Sequence, residues 1–497
     1  MKKIALFILS VAILIVILII GIKTNKIKID NPNNKLQGLK VENSIKNKEY
    51  NLPLIVIDTN GKKINGLDRT YATMYIYENK ENYLKNNPNQ IELASLKIRG
   101  NSSKEYPKKQ YSIQFKTNKD EDKNVSLLGL PKGSHFALNA PFADVSLLRN
   151  YLAYTVGGDI IEYTPKAKFC EVFLVDNNSG EIKESDYMGV FLLIQKIRRS
   201  KNMVNIGKSN KNSNVTSFII EKDRYNLEDK EINFDTYGKN TDEYRSNIIN
   251  IYPKTKITKG QIKYINSYFS TFERVLYSSN FKSPTEGYAK YINVNSFVNY
   301  YIINEFFDNV DAGRYSTYYY KDYNGKLNAG PIWDFNVSLG NNYINGTYYY
   351  PYGFYMQTKS VFNRILMNKS FDEKVIARYK ELRKTYLSDS YLDNLIDNEV
   401  NYLGPAVGRN FKRWPIYLCN QAEMFDMQGK EIKPYEGNIN ELENYMKTHK
   451  YILMPTTGKA TTYNGEIENL KNYIKERGAW MDANINSLMK LSSGGDN

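Results

Sequence analysis

Histidine and cysteine are almost absent from this sequence of 497 residues, which contains two of each. Neither His135 nor His449 lies near a serine in a nucleophile-elbow motif, which argues against Ser-His-Asp hydrolysis. Cys170 and Cys419 are far apart and belong to no Cys-x-x-Cys motif or Cys/His cluster, which argues against a zinc site. We expect buried thiols, with a disulfide as the alternative, because a chain of this length needs no covalent staple. Carboxylates and lysines must then carry any chemistry.

A concentrated basic tail is also absent, although the net charge is +15 and the isoelectric point is about 9.2. The lysines are spread along the chain, so we expect no nucleic-acid partner. Hydrophobic residues make up 41% of the chain and charged residues 24%. This composition predicts a protein folded for most of its length, as one large or two ordinary domains with a substantial core.

One long hydrophobic run stands at the amino end. After the positive start Met1-Lys2-Lys3, residues 4–22 are apolar and uncharged, close to the roughly 20 residues that span a bilayer as a helix. No small-x-small cleavage pattern and no lipid-accepting cysteine follows, so residues 1–22 favour an uncleaved anchor over a removed signal peptide. Basic residues flank the run on both sides, with a modest preference for a cytoplasmic amino end. We therefore predict a single-pass protein of the cell membrane whose folded part is extracytoplasmic.

The rest of the chain divides by its pattern of polar and apolar residues. Residues 23–48 are polar and indicate a linker. Residues 49–258 contain mostly short β-type runs, with one helix behind Asp144 as its N-cap. Residues 259–490 change to helical periodicity, and 491–497 are predicted to be a disordered tail. The predicted strands are 52–58, 70–77, 93–99, 111–115, 171–175, 190–194 and 217–220, and the predicted helices are 262–277, 294–307, 360–367, 371–386, 391–403 and 466–489. The expected fold class is α+β.

Two aspartates, Asp311 and Asp334, flank a predicted β-hairpin within residues 308–336. One strand covers residues 314–321, a turn ending in Asn324-Gly325 follows, and the second strand returns over residues 326–333. Because a hairpin returns to its starting end, the two carboxylates should be neighbours in space. Such a pair suits phosphoryl transfer, where one carboxylate accepts a proton and the other holds a metal.

Two other interpretations of the aspartate pair stay open. Asp311 and Asp334 could be a helix cap and a turn carboxylate, although Asp308 could do the capping instead. The pair could also belong to a glycosidase that acts on cell-wall sugar.

A second candidate site lies between two predicted strands, at Arg99-Gly100-Asn101-Ser102-Ser103. A turn of this composition offers backbone N–H groups and hydroxyls to phosphate oxygens. The next strand opens with Lys108-Lys109, and alternation places Lys109 on the same face as Tyr111 and Phe115. A lysine on an apolar face needs an anionic partner, such as a nucleotide phosphate. The alternative is a lysine at a strand entrance that reaches solvent.

An ordered set of motifs in this chain resembles the spore coat protein H (CotH) kinase-like family, from about residue 48 to 490. The matching segments are 99–103, 107–111, 144–152, 189–197, 309–311, 330–336 and 470–482. The resemblance implies an atypical protein-kinase-like fold with a β-rich N-terminal lobe and a helical C-terminal lobe. It also implies an ATP-dependent enzyme that uses Mg²⁺ or Mn²⁺ and phosphorylates serine or threonine of a spore-coat or cell-surface protein.

The resemblance also assigns roles to residues. Asp311 matches the catalytic aspartate, which would orient and deprotonate the acceptor hydroxyl, and Asp334 matches the metal-binding aspartate. Asn336 would be a second metal ligand through its carbonyl oxygen. Lys109, or else Lys108, matches the basic position on the nucleotide-contacting strand. The other expected nucleotide contacts are Arg99, Asn101, Ser102 and Gln195.

Three positions depart from the pattern that the resemblance implies. Asn336 stands where family members often have an acid, Gln195 stands where they commonly have Glu, and Ser316 stands where ordinary kinases place a metal-binding Asn. These departures motivate an alternative function, a catalytically weak pseudokinase that acts as a surface adhesion or scaffold module.

Overall fold

The structure, a computed structural model, describes residues 39–224, 233–234, 247–341, 351–416 and 460–493. The predicted anchor, residues 1–22, lies outside these ranges, and so does Cys419. Within them, no helix has both the length and the apolar character that crossing a membrane requires.

The described residues include fourteen strands, which we number in chain order. They are β1 Lys40–Val41, β2 Leu54–Asp58, β3 Thr70–Tyr77, β4 Gln90–Arg99, β5 Gln110–Phe115, β6 His135–Asn139, β7 Ala167–Val175, β8 Glu181–Ile182, β9 Tyr187–Gln195, β10 Phe218–Asp223, β11 Asn233–Phe234, β12 Asn247–Tyr252, β13 Thr317–Lys321 and β14 Asn328–Ala329. The seven strands predicted before residue 258 are present, and so are the two predicted hairpin strands, the second only over Asn328–Ala329 of the predicted 326–333. The strands that were not predicted are β1, β6, β8, β11 and β12.

Ten α-helices are described in the same ranges. They are α1 Asn43–Lys46, α2 Arg149–Ile160, α3 Lys259–Leu276, α4 Val294–Phe306, α5 Ser360–Ile365, α6 Lys369–Leu382, α7 Asp389–Leu403, α8 Pro405–Arg413, α9 Tyr463–Asn484 and α10 Met489–Ser493. The six helices predicted after residue 259 all form. Helix α8 was not predicted, although it is amphipathic: Ala406 and Asn410 are buried along it, and Val407 and Phe411 pack against the core.

The end of the predicted linker and the start of the predicted tail belong to the folded part of the chain. The last part of the predicted linker forms β1, which pairs in parallel with β8, and α1, whose Ile45 is buried. At the other end, α10 extends to Ser493, into the predicted tail.

Seven strands close into a barrel in the order β2-β3-β4-β5-β6-β9-β7. Neighbours are antiparallel except β2 and β7, which pair in parallel. Polar and apolar residues alternate along strand β5, Gln110–Phe115, so its two faces differ in character. Tyr111, Ile113 and Phe115 pack in a core with apolar residues from the other barrel strands, including Cys170. Gln110, Ser112 and Gln114 therefore lie on the outer wall.

A second sheet has the strand order β11-β12-β10-β13-β14. The predicted hairpin forms its β13–β14 edge, where Tyr320 is opposite Asn328. Strand β10 pairs with β13 along its length, with Ile219 opposite Tyr320. Strands on both sides of the boundary predicted at residue 258 thus share one sheet.

The main apolar core lies where the barrel, this sheet and the helices meet. It includes Leu152 of α2, Tyr319 of β13, Phe362 of α5 and Leu470 of α9. The expectation of a mixed α+β fold, β-rich in its N-terminal part and helical in its C-terminal part, is confirmed.

Candidate functional site

A cleft of about 1450 Å³ lies between the outer wall of the barrel and the β13–β14 hairpin. Its lining includes the outward-facing residues of β4 and β5, the end of β10, and the loops on both sides of the hairpin. Lysines and arginines are more than twice as numerous in this lining as aspartates and glutamates. The cleft therefore has the charge that an anionic ligand requires.

Asp311 enters the cleft from the loop between α4 and β13. The backbone N–H groups of Arg314 and Tyr315 donate to the Asp311 carbonyl oxygen at 3.0 and 2.7 Å, which closes a tight turn. The Asp311 carboxylate has no hydrogen bond to any residue that the structure describes. Burial raises its pKa, with a further increase from the negative charge of Asp334, and the Arg224 guanidinium offsets part of the rise. Asp311 is thus a carboxylate suited to accept a proton.

Asp334 enters the cleft just after β14, with a left-handed φ of 58°. Helix α2 holds this backbone, because the Asp334 N–H donates to the Tyr154 hydroxyl at 3.2 Å and the Phe335 N–H donates to Asn150 Oδ1 at 2.8 Å. One carboxylate oxygen, Oδ1, accepts from Asn336 Nδ2 at 2.5 Å. The other oxygen, Oδ2, has no hydrogen bond within the described ranges. A non-glycine residue in this conformation is uncommon and clusters at functional sites.

A third acid, Asp223, lies at the end of β10 and lines the same cleft. Burial raises its pKa to about 6; the Arg224 backbone N–H and guanidinium lower it, while the charges of Asp311 and Asp334 raise it. The sequence prediction missed Asp223 because it ended this strand at residue 220. The signal was the polar run Glu221-Lys222-Asp223-Arg224 directly after a buried apolar strand.

Within the described ranges, no three His, Cys, Asp or Glu side chains are close enough to hold a metal ion by themselves. Mg²⁺ in nucleotide sites is usually bound by one or two carboxylates together with phosphate oxygens and water. Asp334, with one carboxylate oxygen held and the other without a partner among the described residues, fits such a site.

The opposite wall carries several cations, among them Arg99 and Lys196. Arg99 donates to Gln110 Oε1 at 3.0 Å, and its guanidinium lies 5.5 Å from the centre of the Trp333 ring, next to Asp334. Lys196 is an exposed residue of the cleft lining, and its side chain forms no hydrogen bond or ion pair with a described residue. The pKa of Lys196 is lowered to about 8, first by desolvation against the cleft wall and second by the positive charge of Arg99. An anion between these two side chains would relieve their repulsion.

The family described as CotH kinase protein matches residues 96–481, more than half of the 497-residue chain. The chain belongs to the CotH kinase protein family. No curated protein matched it.

The cleft of this CotH family member brings together five of the residues selected from the sequence, namely Arg99, Asn101, Asp311, Asp334 and Asn336. Ser316 also lines it. Ser102 begins the short 3₁₀ turn Ser102–Glu105, and its side chain lies outside the described part of the structure.

Three other selected residues are not among those that line the cleft. Lys108 is buried and donates to Val190 O at 2.6 Å and Asn410 Oδ1 at 2.9 Å. Lys109 donates to Lys104 O at 2.7 Å, and Gln195 Oε1 accepts from the Lys166 N–H at 3.1 Å. The expectation for Lys109 assumed that the apolar face of β5 would meet the nucleotide. Barrel closure turns that face inward and leaves Gln110, Ser112 and Gln114 on the cleft.

A buried arginine of the CotH motif, Arg149, ties the cleft loops to two helices. Its guanidinium donates to Asp144 Oδ1 at 2.6 Å, to Glu466 Oε1 at 2.9 Å, and to the carbonyl oxygens of Ser338 and Leu339. The prediction named Asp144 as the N-cap residue of α2, but the N-cap residue is Leu148. The Asp144 carboxylate still accepts a hydrogen bond from the Arg149 N–H at 3.0 Å. It therefore satisfies a backbone donor of the first turn of α2, although it is not the N-cap residue.

A second buried arginine, Arg477 of α9, supports the loop that carries Asp311. It donates to Glu305 Oε1 at 2.8 Å and to the Glu305 carbonyl oxygen at 2.7 Å, at the end of α4. The Tyr473 hydroxyl of the same helix lies 2.5 Å from Asp308 Oδ2. Asp308 is thus paired with α9 and does not line the cleft.

Proposed function

We propose that this protein is a metal- and ATP-dependent kinase with a two-lobed, kinase-like arrangement, which transfers a phosphoryl group to serine or threonine of a spore-coat or cell-surface protein. The observation that carries the proposal is the sharing of one cleft by Asp311 and Asp334, opposite the cations Arg99 and Lys196. Membership of the CotH kinase protein family supports it.

Asp311 is assigned as the residue that orients the acceptor hydroxyl and takes its proton. Its open carboxylate and raised pKa favour this role, because a base works best when its pKa lies nearer the working pH. The acceptor oxygen forms a bond to the terminal phosphorus, the bond to the nucleoside diphosphate breaks, and the proton passes to Asp311.

Asp334 is assigned as the ligand of Mg²⁺ or Mn²⁺, through the carboxylate oxygen that has no described partner. When bound, the metal neutralises charge on the phosphates. Arg99 and Lys196 are assigned as phosphate contacts from the barrel wall, and Lys196 takes the role predicted for Lys109. Asn101 lies on the same wall and is kept as a nucleotide contact.

The test uses the full chain in detergent with ATP, Mg²⁺ or Mn²⁺, and a serine-rich test peptide. Intact mass should show a gain of about 80 Da per phosphoryl transfer, on the peptide or on the protein itself. Asp334→Ala should abolish the gain and the ATP consumption. The matched control is Asp393→Ala, an exposed aspartate of α7 that does not line the cleft and should leave both unchanged.

Other outcomes would favour the other interpretations. Neither mass change nor ATP consumption by the parent with either metal would contradict the kinase and favour the binding module. Sugar-polymer hydrolysis without nucleotide, lost in both Asp311→Ala and Asp334→Ala, would favour a glycosidase. The anchor at residues 1–22 and the extracytoplasmic location stay predictions from the sequence.

A further inference from the structure

The amide groups around Asp334 can be oriented from their hydrogen bonds alone. A backbone N–H can only donate, so the Phe335 N–H fixes the Asn150 carbonyl oxygen on its side, at 2.8 Å. The Asn150 NH₂ group then faces Asn336 and donates to Asn336 Oδ1 at 2.7 Å. This leaves the Asn336 NH₂ group facing Asp334 Oδ1, at 2.5 Å. The chain of three groups has one consistent orientation, set by the backbone at Phe335.

We propose that Asn336 does not act as a metal ligand and is instead a positioning residue, which with Asn150 forms a neutral hydrogen-bonded clamp on Asp334. The clamp holds Oδ1 and presents Oδ2 to the metal. The inference rests on the proposed function, since it concerns the metal that Asp334 would bind. It reverses the role expected for Asn336, because its carbonyl oxygen points at Asn150.

The surroundings of the clamp restrain it from several sides. Asn150 is only 4% exposed on α2, a helix that continues through the buried Tyr154, whose hydroxyl accepts the Asp334 N–H. On the loop side, Asn341 Nδ2 donates to the backbone carbonyl oxygen of Asn336 at 2.6 Å. A carboxylate held in this way loses little freedom when a cation binds. The clamp therefore makes α2 the element that sets metal affinity, although no side chain of α2 would contact the metal.

The experiment measures Mn²⁺ binding to the full chain by electron paramagnetic resonance, with a non-hydrolysable ATP analogue, so that the readout does not depend on turnover. Asn150→Ala removes the donor that orients Asn336 and should weaken Mn²⁺ about tenfold, as loss of an outer-shell partner typically does. If the Asn336 carbonyl oxygen were a ligand, the same change would release it from Asn150. Unchanged or tighter Mn²⁺ binding in Asn150→Ala would then overturn the clamp.

The chain offers a matched control for a broken amide pair. Asn293 Nδ2 donates at 2.8 Å to Oδ1 of Asn328, a residue of β14, and neither residue lines the cleft. Asn328→Ala should leave Mn²⁺ affinity within about twofold of the parent, whereas an equal loss in both variants would indicate a general effect on folding. Asn150→Leu keeps the number of side-chain heavy atoms and repeats the test if the alanine variant does not fold. A parent that binds no Mn²⁺ with nucleotide would contradict the proposed function and the clamp together, whereas a binding parent with an unaffected Asn150 variant contradicts the clamp alone.

Discussion

Four carboxylates of this protein differ in whether their oxygens have partners and whether they open to the cleft. Glu305 is fully buried and paired with the fully buried Arg477. Asp311 and Asp334 have carboxylate oxygens without a described partner, but these open to the cleft, where a metal or a substrate can reach them. Asp372, on α6, is fully buried, and neither of its oxygens has a hydrogen-bond partner in the described part of the chain. The open carboxylates of Asp311 and Asp334 suit chemistry, whereas the buried, unpaired carboxylate of Asp372 only lowers the stability of the fold.

Asp372 should therefore make stability depend on pH. Burial raises its pKa to about 7, and the Ser492 hydroxyl, whose geometry falls short of a hydrogen bond, offsets this only in part. In the unfolded chain the ordinary pKa is 3.8, so between the two values the folded state binds one proton more. The free energy of unfolding should then fall as pH rises from about 4 to about 7, by at most about 1.4 kcal/mol per pH unit.

Asp372→Asn removes this titration and nearly preserves shape. At pH 5, the free energy of unfolding of the variant should be equal to or lower than that of the parent. At pH 8, it should be higher than that of the parent, as measured by urea denaturation. Asp393→Asn, an exposed change, should follow the parent at both pH values. A parent whose advantage over Asp372→Asn is the same at pH 5 and pH 8 would contradict the raised pKa.

Two helices that contribute no reacting group hold the elements that do. Helix α2 supplies Asn150 and Tyr154 to the Asp334 loop, and helix α9 supplies Arg477 and Tyr473 to the loop before Asp311. Glu466 of α9 also bonds to Arg149 of α2, so the two helices are linked behind the cleft. This explains how a helix more than 150 residues after Asp311 in the chain can decide the geometry of the site.

Arg477→Met tests the role of α9. The change leaves the Glu305 carboxylate buried without its cation and the Gly353 carbonyl oxygen without its donor. The free energy of unfolding should drop by about 3–5 kcal/mol, as is typical when one partner of a buried ion pair is removed. Lys369→Met breaks an exposed pair with Glu373 on α6 and should cost less than about 1 kcal/mol. A loss in Arg477→Met no larger than in Lys369→Met, by urea denaturation, would show that the pair does not hold α9.

Charge at the scale of the whole molecule is concentrated where the proposed function needs it. The chain has a net charge of +15, and the cleft lining is also rich in lysine and arginine. Asp223, Asp311 and Asp334 lie at the hairpin end together with Arg224 and Arg314, and the barrel wall adds cations that include Arg99 and Lys196. This excess of cations would attract a nucleotide by its phosphates, while Asp334 is proposed to bind the metal.

Nucleotide affinity should therefore fall with ionic strength. Raising salt from about 0.05 M to about 0.5 M shortens the screening length to a few Å and should weaken binding of the ATP analogue about threefold or more. At low salt, Lys196→Gln should bind the ATP analogue more weakly than the parent does. Its affinity should also fall less than that of the parent when the salt concentration is raised, as followed by isothermal titration calorimetry. Equal affinity of parent and variant at both salt concentrations would remove Lys196 from the phosphate site.

Local pattern was enough to predict most elements and the hairpin. Alternation along residues 111–115 and helical spacing along residues 294–307 are properties of consecutive residues, so they can be read without knowing the fold. The hairpin that brings Asp311 and Asp334 to one cleft follows from two β-forming runs around an Asn-Gly turn. The family resemblance carried by those motifs was confirmed as well.

Only the tertiary structure decided which face of each strand meets the cleft. Strand β5 has the same alternation whether it forms an open sheet or a barrel, and closure of the barrel turned Tyr111 inward and Gln110 outward. Lys196 and Asp223 reach the cleft at the ends of β9 and β10, and Asn150 reaches Asn336 across 186 positions of the chain. The sequence by itself thus determined most of the elements, the hairpin and its acids, because these depend on neighbours along the chain. The lysine, the third acid and the amide clamp depend on contacts between distant segments, which the packing of the whole chain determines.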